Sequence, residues 1–137
     1  LQFIVDHCGM PIEADIGFLD EPTPGQAEGQ RHAGPDVAYF DEVLKLAAHP
    51  NVALKWTHAQ GMFGVRDYPF DALWPELRRA IEAFGVQRVL WASDHGGNNT
   101  GETWGELLHC VRDCPALSST EKEWLLGRSL RTLLDWP

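Results

Sequence analysis

Apolar residues are arranged along this chain in two ways, as short continuous runs and as stripes with helical spacing. Three runs rich in β-branched and aromatic residues predict buried strands, because such residues fit a pleated surface. Stripes in which apolar residues return after three or four positions predict amphipathic helices. The runs fall at residues 1–5, 51–56 and 88–92, and the stripes at 40–47, 73–84, 104–111 and 126–133. Strands that alternate with helices in this order predict right-handed βαβ crossovers and a parallel α/β sheet.

Polar residues and helix breakers mark where several of these helices begin and end. Ser118 and Glu121 form the Ser-x-x-Glu pattern of a capping box at the start of the last helix. Asp71 is predicted to cap the helix before the third strand, and Gly85 suits the left-handed position that ends it. The segment between the second strand and this helix, residues 57–70, is predicted to be a loop.

Residues 12–35 form a long connection between the first strand and the first helix. They are rich in proline, glycine and acidic residues and show no sustained period. A structureless segment of this length inside a domain is typical either of a functional lid or of a disordered stretch. The sequence leaves both interpretations open.

Composition and charge limit the classes of partner. The chain has 11 Lys and Arg residues against 20 Asp and Glu residues, which gives a formal net charge of −9. Because the positive residues are scattered, nucleic acid and anionic membranes are poor candidate partners, and a small molecule is the expected one. No run of about 18 apolar residues predicts a membrane span. The three cysteines predict reduced thiols in a cytoplasmic protein rather than a disulfide framework or a zinc site.

Chemically active residues follow all three predicted strands. Asp6 and His7 follow the first, Lys55 and His58 lie at the end of the second, and Asp94 closes the third. Because the carboxyl ends of parallel strands lie on one face, we expect these side chains to share one mouth. A carboxylate and an imidazole there can activate water, or can help to hold a divalent metal that does so.

These observations give each candidate a role. Asp94 and His7 are the candidate catalytic residues and also the candidate metal ligands. Lys55 and, more weakly, Arg66 are candidates for holding an anionic group of the substrate. A purely structural role is the alternative in each case: His7 and Asp94 can cap the turns after their strands, and Lys55 can pair with a carboxylate.

Hydrolysis is the reaction class that this set of residues favours. Competing motifs are missing from the sequence: no Gly-x-Gly-x-x-Gly follows a strand, and there is no Walker Gly-Lys-Ser/Thr and no Gly-x-Ser-x-Gly. Nucleotide binding and serine hydrolysis therefore have no motif in their support.

Four segments carry a resemblance to a known family, namely residues 6–11, 51–55, 88–94 and 127–134. They read Asp-His-Cys-Gly-Met-Pro, Asn-Val-Ala-Leu-Lys, Arg-Val-Leu-Trp-Ala-Ser-Asp and Gly-Arg-Ser-Leu-Arg-Thr-Leu-Leu. Together they resemble the amidohydrolase-related family of metal-dependent hydrolases, which includes sugar-lactone and pyrone-dicarboxylate lactonases and, more distantly, decarboxylases. The resemblance implies a TIM barrel of the (β/α)8 type, of which this chain supplies the last three β/α units.

The resemblance also implies roles for two residues. Asp94 would end strand eight of the barrel as a metal ligand or as the base that activates water. His7 would end strand six and polarise the substrate carbonyl or join the metal site. The chain departs from the family pattern in three places. Ala92 stands where the family commonly has glycine, and Ser129 stands where it usually has asparagine. His95 and Gly96 follow Asp94, where the family soon has proline.

A further departure concerns the metal. The family places a His-x-His pair on strand one, and no His-x-His occurs in this sequence. Asp94 and His7 alone fall short of the three protein ligands that a catalytic zinc usually has. The sequence therefore leaves open whether one divalent ion, zinc before others, or no metal is bound.

The expected function is hydrolysis of a lactone, ester or amide of a small organic acid or sugar-derived compound. One alternative is a metal-dependent, non-oxidative decarboxylase on the same barrel. Another is a non-catalytic half-barrel that acts as a binding or assembly module and forms a homo-oligomer, since three strands cannot close a barrel. Because the chain opens with Leu1 inside a predicted strand, we expect residues 1–137 to be the C-terminal part of an N-terminally truncated barrel domain.

Overall fold

Three short strands form a parallel sheet, as the hydrophobic pattern predicts. The computed structural model describes residues 1–9, 37–65, 67–95 and 102–137. Strand β1 is Phe3–Val5, β2 is Val52–Trp56 and β3 is Val89–Trp91, and β2 lies between the other two. Both pairings are parallel. The predicted α/β class and the order of its strands are confirmed.

Six α-helices accompany these strands in the described part of the chain. They are α1 (Val37–Lys45), α2 (Ala59–Phe63), α3 (Trp74–Phe84), α4 (Trp104–Arg112), α5 (Ser119–Glu123) and α6 (Ser129–Leu133). Short 3-10 turns precede α3 and β3, and a π turn, Trp124–Arg128, joins α5 to α6. The single last helix that the sequence predicts is thus interrupted, because Gly127 inside the π turn has non-helical backbone angles that glycine adopts readily.

Some of the predicted helix boundaries agree with the structure and others do not. The capping box before α5 is confirmed: the Glu121 N–H donates to Ser118 Oγ, and the Ser118 N–H donates to a Glu121 carboxylate oxygen. Gly85 ends α3 with a positive φ of 76°, but its ψ of 140° lies outside the left-handed conformation that the sequence predicts. The prediction that Asp71 caps α3 is wrong, because a 3-10 turn at residues 71–73 separates it from the helix. The predicted loop 57–70 contains the short helix α2.

The hydrophobic core lies between the sheet and the helices packed against it. The central strand β2 is buried along most of its length, as expected of a parallel strand covered on both faces. Large buried side chains of the strands and helices complete the core: Phe40, Leu54, Leu77, Phe84, Val89 and Leu125. The edge strand β1 differs, since Phe3 and Ile4 are 51% and 42% exposed.

Close packing of one glycine holds the turn that follows β1. A Cβ atom placed on Gly9 would lie 2.5 Å from Cγ2 of Val43, a distance that side chains do not tolerate. The φ angle of Gly9 is +77°, which also favours glycine. Next to it, Cys8 is fully buried, and its Sγ lies 3.4 Å from the carbonyl oxygen of Thr57. The turn after β1 is therefore fixed against α1 and against the end of β2.

A single guanidinium ties β2, β3 and their neighbouring turns together. Arg88, just before β3, donates hydrogen bonds to four backbone carbonyls, those of Ala47, His49, Val52 and Phe84, at 2.8–3.1 Å. Carbonyl oxygens that are taken out of water need such partners. Arginine meets this need because its planar fork carries five donors in fixed positions.

We predict that Arg88→Lys lowers the free energy of unfolding by about 2 kcal/mol, because one ammonium cannot reach four carbonyls. Urea denaturation followed by circular dichroism measures the change. Arg131→Lys is the matched control, since Arg131 is exposed and should change the stability by less than about 0.5 kcal/mol. Equal effects of the two substitutions would contradict the assigned role of Arg88.

Candidate active site

Beyond the end of each strand lies a polar residue with a left-handed backbone, and after β1 the next residue, Cys8, shares this conformation. His7 follows β1 with a φ of 47°, His58 follows β2 with a φ of 59°, and Asp94 follows β3 with a φ of 51°. Residues other than glycine seldom adopt positive φ, and such strained positions cluster at active sites and ligand clamps. The three strand ends therefore share an unusual conformation at one edge of the sheet.

The side chains of these three residues converge on one carboxylate oxygen. Asp94 Oδ2 lies 3.1 Å from His7 Nε2 and 3.3 Å from His58 Nδ1. The two imidazole rings are tilted relative to each other, with their centroids 5.6 Å apart. The structure thus brings together Asp94 and His7, the two candidate catalytic residues, and adds a second histidine.

The three side chains differ in their access to water. His7 and Asp94 are 30% and 32% exposed, whereas His58 is only 6% exposed. A small molecule or a water molecule can therefore reach Asp94 and His7 from solvent. His58 approaches the same carboxylate from the protein interior.

Lys55 lies beside this group but is already paired. Its Nζ is 2.7 Å and 2.8 Å from the two carboxylate oxygens of Asp6. Partial burial tends to raise the pKa of Asp6, but the hydrogen bonds from Lys55 and from the His7 backbone N–H outweigh it and lower the pKa below its usual value. Asp6 and Lys55 therefore form a stable ion pair next to His7. A substrate contact of Lys55, as predicted, therefore requires that Lys55 also remains paired with Asp6.

The candidate Arg66 and the neighbouring thiol of Cys8 gain no role from the geometry. Arg66 lies outside the described residues. Cys8, in the turn after His7, is fully buried, and this burial raises the pKa of its thiol to about 12. Since the thiolate is the reactive form, Cys8 is not a nucleophile at neutral pH.

His58 is the residue of this group that sequence reasoning did not select. Its position shortly after β2 places it at the expected mouth, but most isolated histidines serve structural roles, so its position alone was not enough to assign it a catalytic or metal-binding role. The orientation of its ring depends on the left-handed backbone at residue 58 and on the packing of α2. Neither feature can be inferred from hydrophobic spacing.

The predicted metal site depends on the donor atoms that the strand ends supply. Asp94 and His7 were expected to be ligands, and a catalytic zinc usually has three protein ligands and one open position. Among the residues that the structure describes, no group of three or more His, Cys, Asp or Glu side chains is arranged to hold a metal ion. The described residues of this chain therefore do not by themselves fit a catalytic metal.

A sequence model of the amidohydrolases matches residues 1–132, nearly the whole chain. The chain belongs to the amidohydrolase family. A crystal structure of an amidohydrolase from Burkholderia multivorans with bound zinc has a similar fold, with a TM-score of 0.69 and 20% sequence identity. The match covers 99% of this chain and 44% of that chain. The parallel β/α units described above therefore correspond to part of an amidohydrolase TIM barrel.

The comparison with curated proteins gave no match. In the described ranges of this amidohydrolase-family chain, no helix has both the length and the apolar character needed to cross a membrane.

We predict that Lys55→Gln makes the stability of the protein less sensitive to acid. Because the folded-state pKa of Asp6 is lowered, its pairing with Lys55 stabilises the fold above about pH 4 and is lost as the pH falls further. The difference in unfolding free energy between wild type and Lys55→Gln should therefore shrink from pH 5 to pH 2, as measured by urea denaturation at each pH.

Lys45→Gln is the control for this experiment, since Lys45 pairs with Glu42 on the exposed surface of α1. Exposed pairs of this kind contribute little to stability. A difference for Lys55→Gln that stays constant across the whole pH range would show that the lysine acts by packing alone.

Proposed function

We propose that the complete protein is a hydrolase that cleaves a lactone, ester or amide of a small organic acid or sugar-derived compound. The observation that carries this proposal is the 3.1 Å contact between Asp94 Oδ2 and His7 Nε2 at the open edge of the parallel sheet. Membership of the amidohydrolase family supports the same reaction class. Because the chain spans 44% of the matched amidohydrolase chain, the activity is proposed for a protein that contains the whole barrel.

The proposed reaction follows from the chemistry of the two side chains. Asp94 accepts a proton from a water molecule, and the oxygen of that water attacks the substrate carbonyl. An imidazole N–H of His7 donates to the carbonyl oxygen and stabilises the negative charge that develops there. Collapse of the tetrahedral intermediate breaks the C–O or C–N bond. The proton held by Asp94 then passes to the leaving group, which restores the carboxylate.

Lys55 and Arg66 are proposed to hold an anionic group of the substrate. An ammonium has three donors, so Lys55 can keep its contacts with Asp6 and still donate to a substrate carboxylate. A carboxylate or a hydroxyl-rich substrate is consistent with this arrangement. The proposal for Arg66 depends on its position in the sequence shortly after α2.

A catalytic divalent metal would need ligands in addition to Asp94 and His7. Zinc is bound in the amidohydrolase from Burkholderia multivorans, but the described residues of this chain do not form a group of three metal ligands. The proton transfers are therefore assigned to Asp94 and His7 without a metal. Zinc, if it acts in the complete protein, would draw on ligands beyond those described.

We predict that Asp94→Asn lowers kcat/KM by at least about 100-fold for every substrate that the complete protein accepts, because an amide cannot take up the proton of water. A panel of lactones, esters and amides, followed by NMR detection of the acid product, measures the change. Asn fits the left-handed backbone at residue 94 as well as Asp does, so the substitution should leave the fold intact.

Asp135→Asn is the matched control. Asp135 is also a left-handed aspartate, with a φ of 50°, but it lies after α6 and is exposed. Its substitution should leave kcat/KM within about twofold of wild type. The proposed function fails if Asp94→Asn retains the wild-type kcat/KM for all accepted substrates.

A further inference from the structure

We propose that His58 is a positioning residue for Asp94, which it contacts from the buried side while His7 contacts it from the open side. This inference rests on the proposed function, because it concerns the carboxylate that is proposed to activate water. It assigns a role to a buried histidine that the reaction steps above do not use.

Both histidines approach the same oxygen of the Asp94 carboxylate. The shortest contact of each histidine to Asp94 is with the same oxygen, Oδ2, at 3.1 Å for His7 and 3.3 Å for His58. Two nitrogens placed against one oxygen restrict rotation of the carboxylate about its Cβ–Cγ bond. A carboxylate held in one orientation reacts faster with a positioned water than one that rotates freely.

His58 is itself held in place by the helix that follows it. It is the residue before α2, and its carbonyl oxygen accepts a hydrogen bond of 2.9 Å from the Met62 N–H. Ala59, Gln60 and Met62 of that helix are buried, so the helix is anchored in the core. His58 thus projects from a fixed element, and its left-handed backbone directs the ring towards Asp94.

A small cavity lies beside His58. It has a volume of about 20 Å³, enough for one water molecule, and its lining is largely apolar, with polar groups from Thr57, His58, Gln60 and Ser93. Within the described residues, Thr57 Oγ1 and Gln60 Nε2 are buried and have no hydrogen-bond partner. Buried polar atoms of this kind are usually satisfied by an ordered water. The imidazole therefore lies between the carboxylate and a cavity that has room for one water molecule.

The test uses the complete protein with any substrate that it accepts. His58→Asn places an N–H donor near the position of Nδ1, the nitrogen that lies 3.3 Å from Asp94 Oδ2, and it tolerates the left-handed backbone. His58→Gln places its amide further out, near the position of Nε2, and His58→Leu has no donor. If His58 positions Asp94, kcat should fall about tenfold or more for Leu and Gln, but less than about threefold for Asn, with KM within about twofold throughout.

Thermal melts followed by circular dichroism show which variants are folded, and kcat is compared among those variants only. Met62→Leu is the control, because it changes a buried side chain of the same helix without touching Asp94 and should leave kcat near the wild-type value. If His58→Leu does not fold, the comparison of Asn with Gln decides. The inference is overturned if kcat follows the loss of thermal stability and not the position of the donor.

A double-mutant comparison separates this inference from the proposed function. Asp94→Asn combined with His58→Leu should be no less active than Asp94→Asn alone, since the carboxylate to be positioned is already gone. An additional tenfold loss would show that His58 acts independently of Asp94. If Asp94→Asn itself has no effect, the proposed function fails. If Asp94→Asn is inactive but His58→Leu keeps the wild-type kcat, only the inference fails.

Discussion

The structure depends on the position of β2, which is hydrogen-bonded on both sides and buried on both faces. Its parallel pairing with β1 and β3 fixes the positions at which the three strands end relative to one another. Burial of this strand helps to fix the register, because a slip of one residue would exchange the side chains that face the two sides of the sheet and place each against the wrong packing partners. The distances among His7, His58 and Asp94 follow from that register, since each of these residues lies two or three positions beyond its strand.

The three strand ends also show how such a fold tolerates strain at a site. His7, His58 and Asp94 each have positive φ, a conformation that costs of order 1–3 kcal/mol for such residues. Anchors elsewhere hold these conformations: Gly9 packs against Val43 below His7, and buried α2 follows His58. The packing of the sheet and core therefore offsets the free-energy cost of these backbone conformations.

Much of this could be predicted from the sequence. The apolar runs located all three strands, and the order of elements gave the parallel sheet, because both depend on local spacing and on general rules of connection. The helix α2 was missed because it has only five residues and contains Gly61, so that it shows no helical period. Contacts of single side chains were harder: the meeting of Asp94 with His7 followed from their places at strand ends, but the approach of His58 required knowledge of its backbone angles.

Two aspartates at this edge, Asp6 and Asp94, have different partners, and this difference favours one of them as the base. Burial acts to raise the pKa of Asp6, but its hydrogen bonds with Lys55 and the His7 backbone N–H lower it overall, which makes Asp6 a weaker proton acceptor. Asp94 instead contacts two imidazole nitrogens, His7 Nε2 and His58 Nδ1. The partners of the two carboxylates, more than their positions, therefore support the proposal that Asp94 is the residue that activates water.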